Sequence, residues 1–351
     1  MVSKLFCCCA VLPLFISSYL FLIQFLHTEP FEWPYRDIVF SKEGKRISFS
    51  EYGQKSSSHI WVHFHGTPGS SIFIPSSVRS AFENSGVRLI LPDRSGFGMS
   101  AFNKNRTILD SGKDLYSLLS SLNLPSNCDL VLSGHSSGAP FAFGASIWGE
   151  MPCKLTSIIL FAPAITHLSQ DLPKNFSAQE IYSDIEPSNP HHVKYLVENM
   201  WILKYVFRLL APMFVFYPES LINDYNEIHY QFSGIINDRT DFRNLYRGAI
   251  VDSLTSGVDS LWHDGFLLTQ KWPFDLKTQL PKVPIKIYVG AQDTNTGVKM
   301  AQYTQTLIPT STLEVVQDHT HDSLLFSKLI EIIKDFKFNR YSKQHFEIFD
   351  F

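Results

Sequence analysis

The sequence predicts an α/β fold: a mostly parallel sheet with helices on both faces, interrupted by a helical lid insertion and preceded by an N-terminal transmembrane helix. Three observations carry this. Short apolar runs alternate with helical patterns in two stretches of the chain, as expected of parallel strands buried on both faces. From about Ala164 to Lys282 the strand series stops, and a gap of that length is too long for a loop in a compact domain. Leu5 to Leu26 runs 22 residues without a charge.

That first segment is long enough to span a hydrocarbon core of ~30 Å as a helix, whereas a signal-peptide core is usually only about 7–15 residues long. The expectation is an uncleaved signal anchor over 1–30. A cleaved signal peptide, giving a secreted protein, is the alternative, although cleavage after Ser18 would leave the apolar terminus Tyr19-Leu20-Phe21. Lys4 and the amino terminus favour the cytosolic side, which places the rest of the chain in the lumen or outside the cell. Two sequons agree with that side, Asn105-Arg106-Thr107 and Asn175-Phe176-Ser177. Cys7, Cys8 and Cys9 sit at the cytosolic edge. They read first as small apolar residues of the membrane helix, with S-palmitoylation as the sharper alternative.

Strand patterns follow at Ile38 to Phe40, Ile47 to Tyr52, Ile60 to Phe64, Arg88 to Leu91, Leu130 to Ser133, Ser157 to Phe161, Ile285 to Val289 and Leu313 to Val316. Helical patterns lie at Ile108 to Leu122, Ala139 to Trp148, Thr296 to Thr306 and Ser323 to Phe336. The expected organisation is a core of 35–163 and 283–340, a helical subdomain over 164–282 and a tail over 341–351. Helix-like stretches within the insertion are Val193 to Phe216 and Asp241 to Ser253. Val193 to Leu203 is apolar around most of its circumference, which reads as packing inside the subdomain, with lining a substrate tunnel or touching the bilayer as the sharper alternative. Cys128 and Cys153 each precede a strand pattern. If those strands are neighbours, the two cysteines share a sheet end and can form a disulfide in an oxidising lumen.

Hydrophobic residues make up 44% of the 351 positions and charged ones 18%, which supports a sizeable core and excludes wholesale disorder. The formal charge is −3 with no long basic run, so nucleic acid is not an expected partner.

The chemistry-bearing strings all follow strand patterns. Gly134-His135-Ser136-Ser137-Gly138 breaks from Leu130 to Ser133, raising a serine on a sharp strand-to-helix turn with the Ser137 N–H at the start of a helix. His65-Gly66-Thr67-Pro68-Gly69 follows the third strand pattern and can present the Thr67 N–H to developing negative charge. Asp93 to Ser100 is a second glycine-rich loop, Gly290-Ala291-Gln292-Asp293 places a carboxylate past a strand end, and Asp318 to Leu324 carries His319 and His321. A serine hydroxyl needs an imidazole to take its proton, and the imidazole needs a carboxylate to hold its tautomer. No histidine pair shows a spacing such as His-Glu-x-x-His, so no metal and no cofactor are expected.

From about Asp37 to Lys334 the chain resembles the α/β-hydrolase superfamily, in the branch with an HGTPG-type oxyanion loop. His65 to Gly69, Asp93 to Ser100, Gly134 to Gly138, Trp272-Pro273-Phe274, Gly290 to Asp293 and His321 to Leu324 match that family's motifs. The resemblance implies Ser136 as nucleophile, Asp293 as acid, His321 as base, and the amides of Thr67 and Ser137 as the oxyanion hole. Two departures stand out. Ser95 occupies a position where the family more often has proline, and Asp318-His319-Thr320 replaces the usual glycine before the base, so His319 competes with His321 for the role. His-x-Ser-Leu entering the final helix matches the family and favours His321. Asp93 and Arg94 read as loop-fixing residues. Relatives that open epoxides or remove halogens would call for aspartate at 136; serine implies acyl transfer to water. With a membrane tether and an insertion rich in aromatic residues, the expected substrate is a lipid or other carboxylic ester. A proline iminopeptidase-like aminopeptidase and an inactive membrane-anchored binding domain are the alternatives.

Overall fold

Eight strands form a single sheet in the order β1-β2-β4-β3-β5-β6-β7-β8. They are β1 Asp37–Phe40, β2 Arg46–Gly53, β3 His59–Phe64, β4 Arg88–Pro92, β5 Asp129–His135, β6 Lys154–Phe161, β7 Ile285–Gly290 and β8 Thr312–Val316. The computed structural model describes residues 36–185, 190–202, 204–205, 239–254 and 257–341. The anchor expected over 1–30, Cys7 to Cys9, 206–238 of the insertion and 342–351 of the tail lie outside the described residues. Among those described, no helix is long and apolar enough to cross a membrane.

β1 and β2 run antiparallel to their neighbours, and every pairing from β4 through β8 is parallel. Alternation along the strands explains why helices cover both faces. Ile60, Val62, Phe64, Leu130, Leu132, Ile158 and Leu160 point into one core with helices α2 (Asp110–Ser120), α3 (Ala139–Trp148) and α9 (Gly297–Leu307). Trp61, Leu89, Ile159 and Phe161 point the other way, onto α1 (Ser76–Glu83) and α10 (His321–Tyr341). The period of two thus divides each strand between two cores.

The sequence pattern does not announce α1. It is eight residues long and starts Ser-Ser, residues of modest helix propensity. Its two buried side chains, Val78 and Phe82, stand one turn apart on the second core. Between β6 and β7 the described residues form helices and no strand: α4 Ala178–Ile181, α5 Pro190–Glu198, α6 Arg239–Ser253, α7 Val258–Leu268 and α8 Leu276–Gln279. Here one expectation changes. α5 has no fully buried residue, and Tyr195, Leu196 and Trp201 are exposed. Only Val193 and Val197 pack partly against the core, so the apolar circumference does not translate into all-round burial.

Candidate active site

The carboxyl ends of β3, β4, β5, β7 and β8 lead into the loops singled out above, the end at which open α/β sheets bind ligands. At the end of β5, Ser136 has φ +53°, a left-handed conformation that a non-glycine residue holds only when its surroundings impose it. They do so through close approach. A Cβ on Gly134 would lie 2.6 Å from the Gly138 carbonyl carbon, and one on Gly138 would lie 2.2 Å from the Phe64 carbonyl oxygen. The turn Ser136–Gly138 is a single 3-10 turn that runs straight into α3, with Pro140 in that helix's first turn. The Ser136 carbonyl accepts from the Ala164 N–H at 3.0 Å.

Asp293 and His321 meet across the ends of β7 and β8. His321 Nδ1 lies 2.9 Å from Asp293 Oδ2. Asp293 Oδ1 accepts from the Asn295 and Thr296 amides at 2.9 and 3.0 Å, and Oδ2 also accepts from the Thr296 hydroxyl. Burial alone would raise the Asp293 pKa, but the His321 charge, its hydrogen bond and the two amides outweigh burial and hold the carboxylate well below its usual range. For His321, burial pushes the pKa down, and Asp293 together with Asp322 overcomes this and lifts it above 6.5. His319 is half-buried, and its Nδ1 faces the Gln317 carbonyl at 2.7 Å. Of the two competing histidines, His321 is the one brought to the acid.

His135 lies behind His321. Its Nε2 is 3.1 Å from the His321 carbonyl and its ring centroid 4.5 Å from that of His321. Burial and the neighbouring His321 lower its pKa to about 4, so at neutral pH it is an uncharged donor to that carbonyl. His135, His321 and Asp322 also offer ligand atoms within 4.8 Å of one another. With His135 Nε2 donating and His321 Nδ1 held by Asp293, the group is a hydrogen-bonded one.

Ser136, Ser137, Thr67, Gly66, His135 and His321 line one cavity of about 610 Å³. Its remaining wall is mostly apolar, with Phe73, Met200, Ile250, Leu254, Leu261 and Leu268. Asp322 faces the same space, its carboxylate accepting from the Tyr246 hydroxyl. His65 is buried, with Nδ1 2.8 Å from the Gly66 carbonyl and Nε2 accepting from the Arg94 amide at 3.3 Å. A Cβ on Gly69 would press on the Gly66 carbonyl oxygen at 2.9 Å. Trp272 and Phe274 stand apart from the cavity lining and pack in the core.

Cys128 and Cys153 form a disulfide with Cα atoms 4.8 Å apart, just ahead of the paired strands β5 and β6. Asn105 and Asn175 are both exposed in turns. Three residues escaped the sequence reading. Asp322 stands beside His321, but its neighbour in sequence gives it no role until both face one cavity. Arg106 lies hidden inside a sequon. Nothing local marks Asp264, which sits on α7 and binds Arg94 and Arg106 in a buried ion cluster.

No protein-family model matches the chain, and no curated protein matches it. Solved structures do. An esterase from Exiguobacterium antarcticum aligns with a TM-score of 0.56 at 18% identity, over 85% of this chain and 98% of its own. An α/β-hydrolase fold protein from Nakamurella multipartita aligns with a TM-score of 0.53 at 15% identity, over 86% and 99%. An epoxide hydrolase from Vigna radiata aligns with a TM-score of 0.53 at 16% identity, over 88% and 98%. The chain has the α/β-hydrolase fold.

Proposed function

We propose that this α/β-hydrolase-fold chain is a serine hydrolase of the HGTPG-loop type that cleaves carboxylic esters through an acyl-enzyme on Ser136. The observation that carries the reading is the joint placement of a strained, cavity-lining Ser136 and of His321, whose Nδ1 is held by a buried Asp293. The structural likeness to esterases, at 18% identity, is consistent with it.

In the first half-reaction Ser136 Oγ attacks the ester carbonyl carbon while its proton passes to His321 Nε2. The carbonyl oxygen becomes an anion facing the Thr67 and Ser137 amides. Collapse breaks the C–O bond, and the alcohol leaves with the proton from His321. Water, giving a proton to the same nitrogen, then attacks the acyl carbon. The bond from that carbon to Ser136 Oγ breaks as His321 returns the proton to Oγ and the acid leaves. Asp293 keeps the proton on Nδ1 and stabilises the imidazolium.

The mostly apolar cavity wall suits the acyl chain of a lipid ester. A tether through the uncharged segment Leu5 to Leu26, with the catalytic domain lumenal or extracellular, would bring such esters close. The reading is tested by labelling the full-length chain with a fluorophosphonate probe, followed by a panel of short-chain nitrophenyl esters, monoacylglycerol micelles and a prolyl aminoacyl-coumarin. Labelling is expected in the native protein and absent in Ser136→Ala, with ester turnover down at least ~10⁴-fold. A folded native protein that never labels would identify a binding domain. Hydrolysis of the coumarin alone would identify an aminopeptidase, and esters cleaved without monoacylglycerol would remove the lipid preference.

A further inference from the structure

Thr67 carries one of the two amides assigned to the oxyanion, and its side chain is fully engaged. Thr67 Oγ1 accepts from Ser137 Oγ at 2.7 Å and from Arg94 Nη2 at 2.6 Å, and it donates to Asp264 Oδ2 at 3.3 Å. A hydroxyl has one hydrogen and two lone pairs, so its whole capacity is used and it cannot turn without breaking a bond. One of those bonds joins it to Ser137, the residue bearing the other amide. The Thr67 hydroxyl therefore links the two halves of the hole.

What holds it is a buried ion cluster. Arg94 grips the loop again through the His65 carbonyl. Its guanidinium is sandwiched by the Phe97 and Phe141 rings, 4.9 and 4.7 Å from their centroids. Asp264 receives Arg94 Nε at 3.1 Å on one oxygen and Arg106 on the other. Burial opposes the charge on Asp264, but the two arginines outweigh it and keep it ionised. Asp264 belongs to α7, and Leu261, Gly265 and Leu268 of the same helix line the cavity. The helix that walls the substrate space thus also inserts the carboxylate that orders the oxyanion loop.

We propose that Arg94 and Asp264 are positioning residues that act through the Thr67 hydroxyl to set the spacing of the two oxyanion-hole amides, so that the hole is complete only with α7 docked. This rests on Ser136 as the acylated nucleophile. Thr67→Val keeps the amide and the side-chain shape while removing the hydroxyl, and Thr67→Ser restores the hydroxyl. In the full-length chain, Thr67→Val is expected to lower kcat on a nitrophenyl ester roughly 10- to 100-fold with KM changed less than about twofold. Inhibition by a trifluoromethyl ketone, which presents an oxyanion to the hole, should weaken in parallel. Thr67→Ser should recover most of the lost rate, and Asp264→Asn should repeat the kcat-selective loss. If Asp264→Asn does not fold, Thr67→Val alone decides. A labelled native protein whose Thr67→Val variant keeps native kcat and ketone affinity overturns the inference and leaves the nucleophile standing. A loss spread equally over kcat and KM, with no rescue by serine, also overturns it. A native protein that fails to label removes the nucleophile and the inference together.

Discussion

Asp322 shows how one side chain can tune this site beyond Ser136, Asp293 and His321. It follows His321 directly, faces the cavity and accepts from Tyr246. Burial lowers the His321 pKa, Asp293 raises it most among the opposing influences, and Asp322 adds to that rise. On the mechanism proposed, His321 must be uncharged to take the Ser136 proton, so turnover is expected to fall as pH drops through a pKa above 6.5. Asp322→Asn removes one of the charges that favour the imidazolium. The acid limb of kcat/KM should therefore move to lower pH, with activity retained on the alkaline side. An unmoved limb would show that Asp322 does not influence the base. His321 was legible from its approach to the final helix. Asp322 was not, because an acid beside a histidine gains meaning only once both are seen facing one cavity.

At the level of elements, strands were the most readable. All eight patterns correspond to strands, since buried parallel strands are short, apolar and flanked by turn residues. Helix α1 was missed because it is short and its two apolar anchors reveal a face only against the second core. The disulfide joins residues 25 apart at the starts of β5 and β6. By the chain-entropy argument a closure of that length contributes about 3 kcal/mol. The paired substitution of Cys128 and Cys153 to alanine should lower unfolding free energy by roughly 2–4 kcal/mol in urea titrations, with ester turnover little changed below the unfolding transition. A difference under ~0.5 kcal/mol would mean the link does not constrain the unfolded chain.

For the whole molecule, buried histidines set the response to acid. Burial and the neighbouring His135 lower the His63 pKa to about 3, burial and His321 lower that of His135 to about 4, and His65 is depressed as well. Each is released on unfolding to a pKa near 6.5, so below that value the unfolded chain binds more protons. The stability they confer is complete above 6.5 and is lost as pH falls toward about 4. His321, with a raised pKa, opposes them but is a single group. The urea midpoint should fall between pH 7.5 and 5, with a slope approaching ~1.4 kcal/mol per pH unit for each depressed histidine. A midpoint flat across that range would show that these rings are accessible to protons in the native state. The sequence by itself determined the sheet, the order of Ser136, Asp293 and His321 along the chain, and the loops at the strand ends, because periodicity, glycine turns and strand termini are local properties of the chain. The tertiary structure seated His321, the histidine the sequence favoured, against Asp293, and it alone decided that Asp264, 197 residues from Thr67, closes a buried charge cluster under the His65–Gly69 loop. Pairings of that range leave no local pattern, since they depend on where distant elements come to rest.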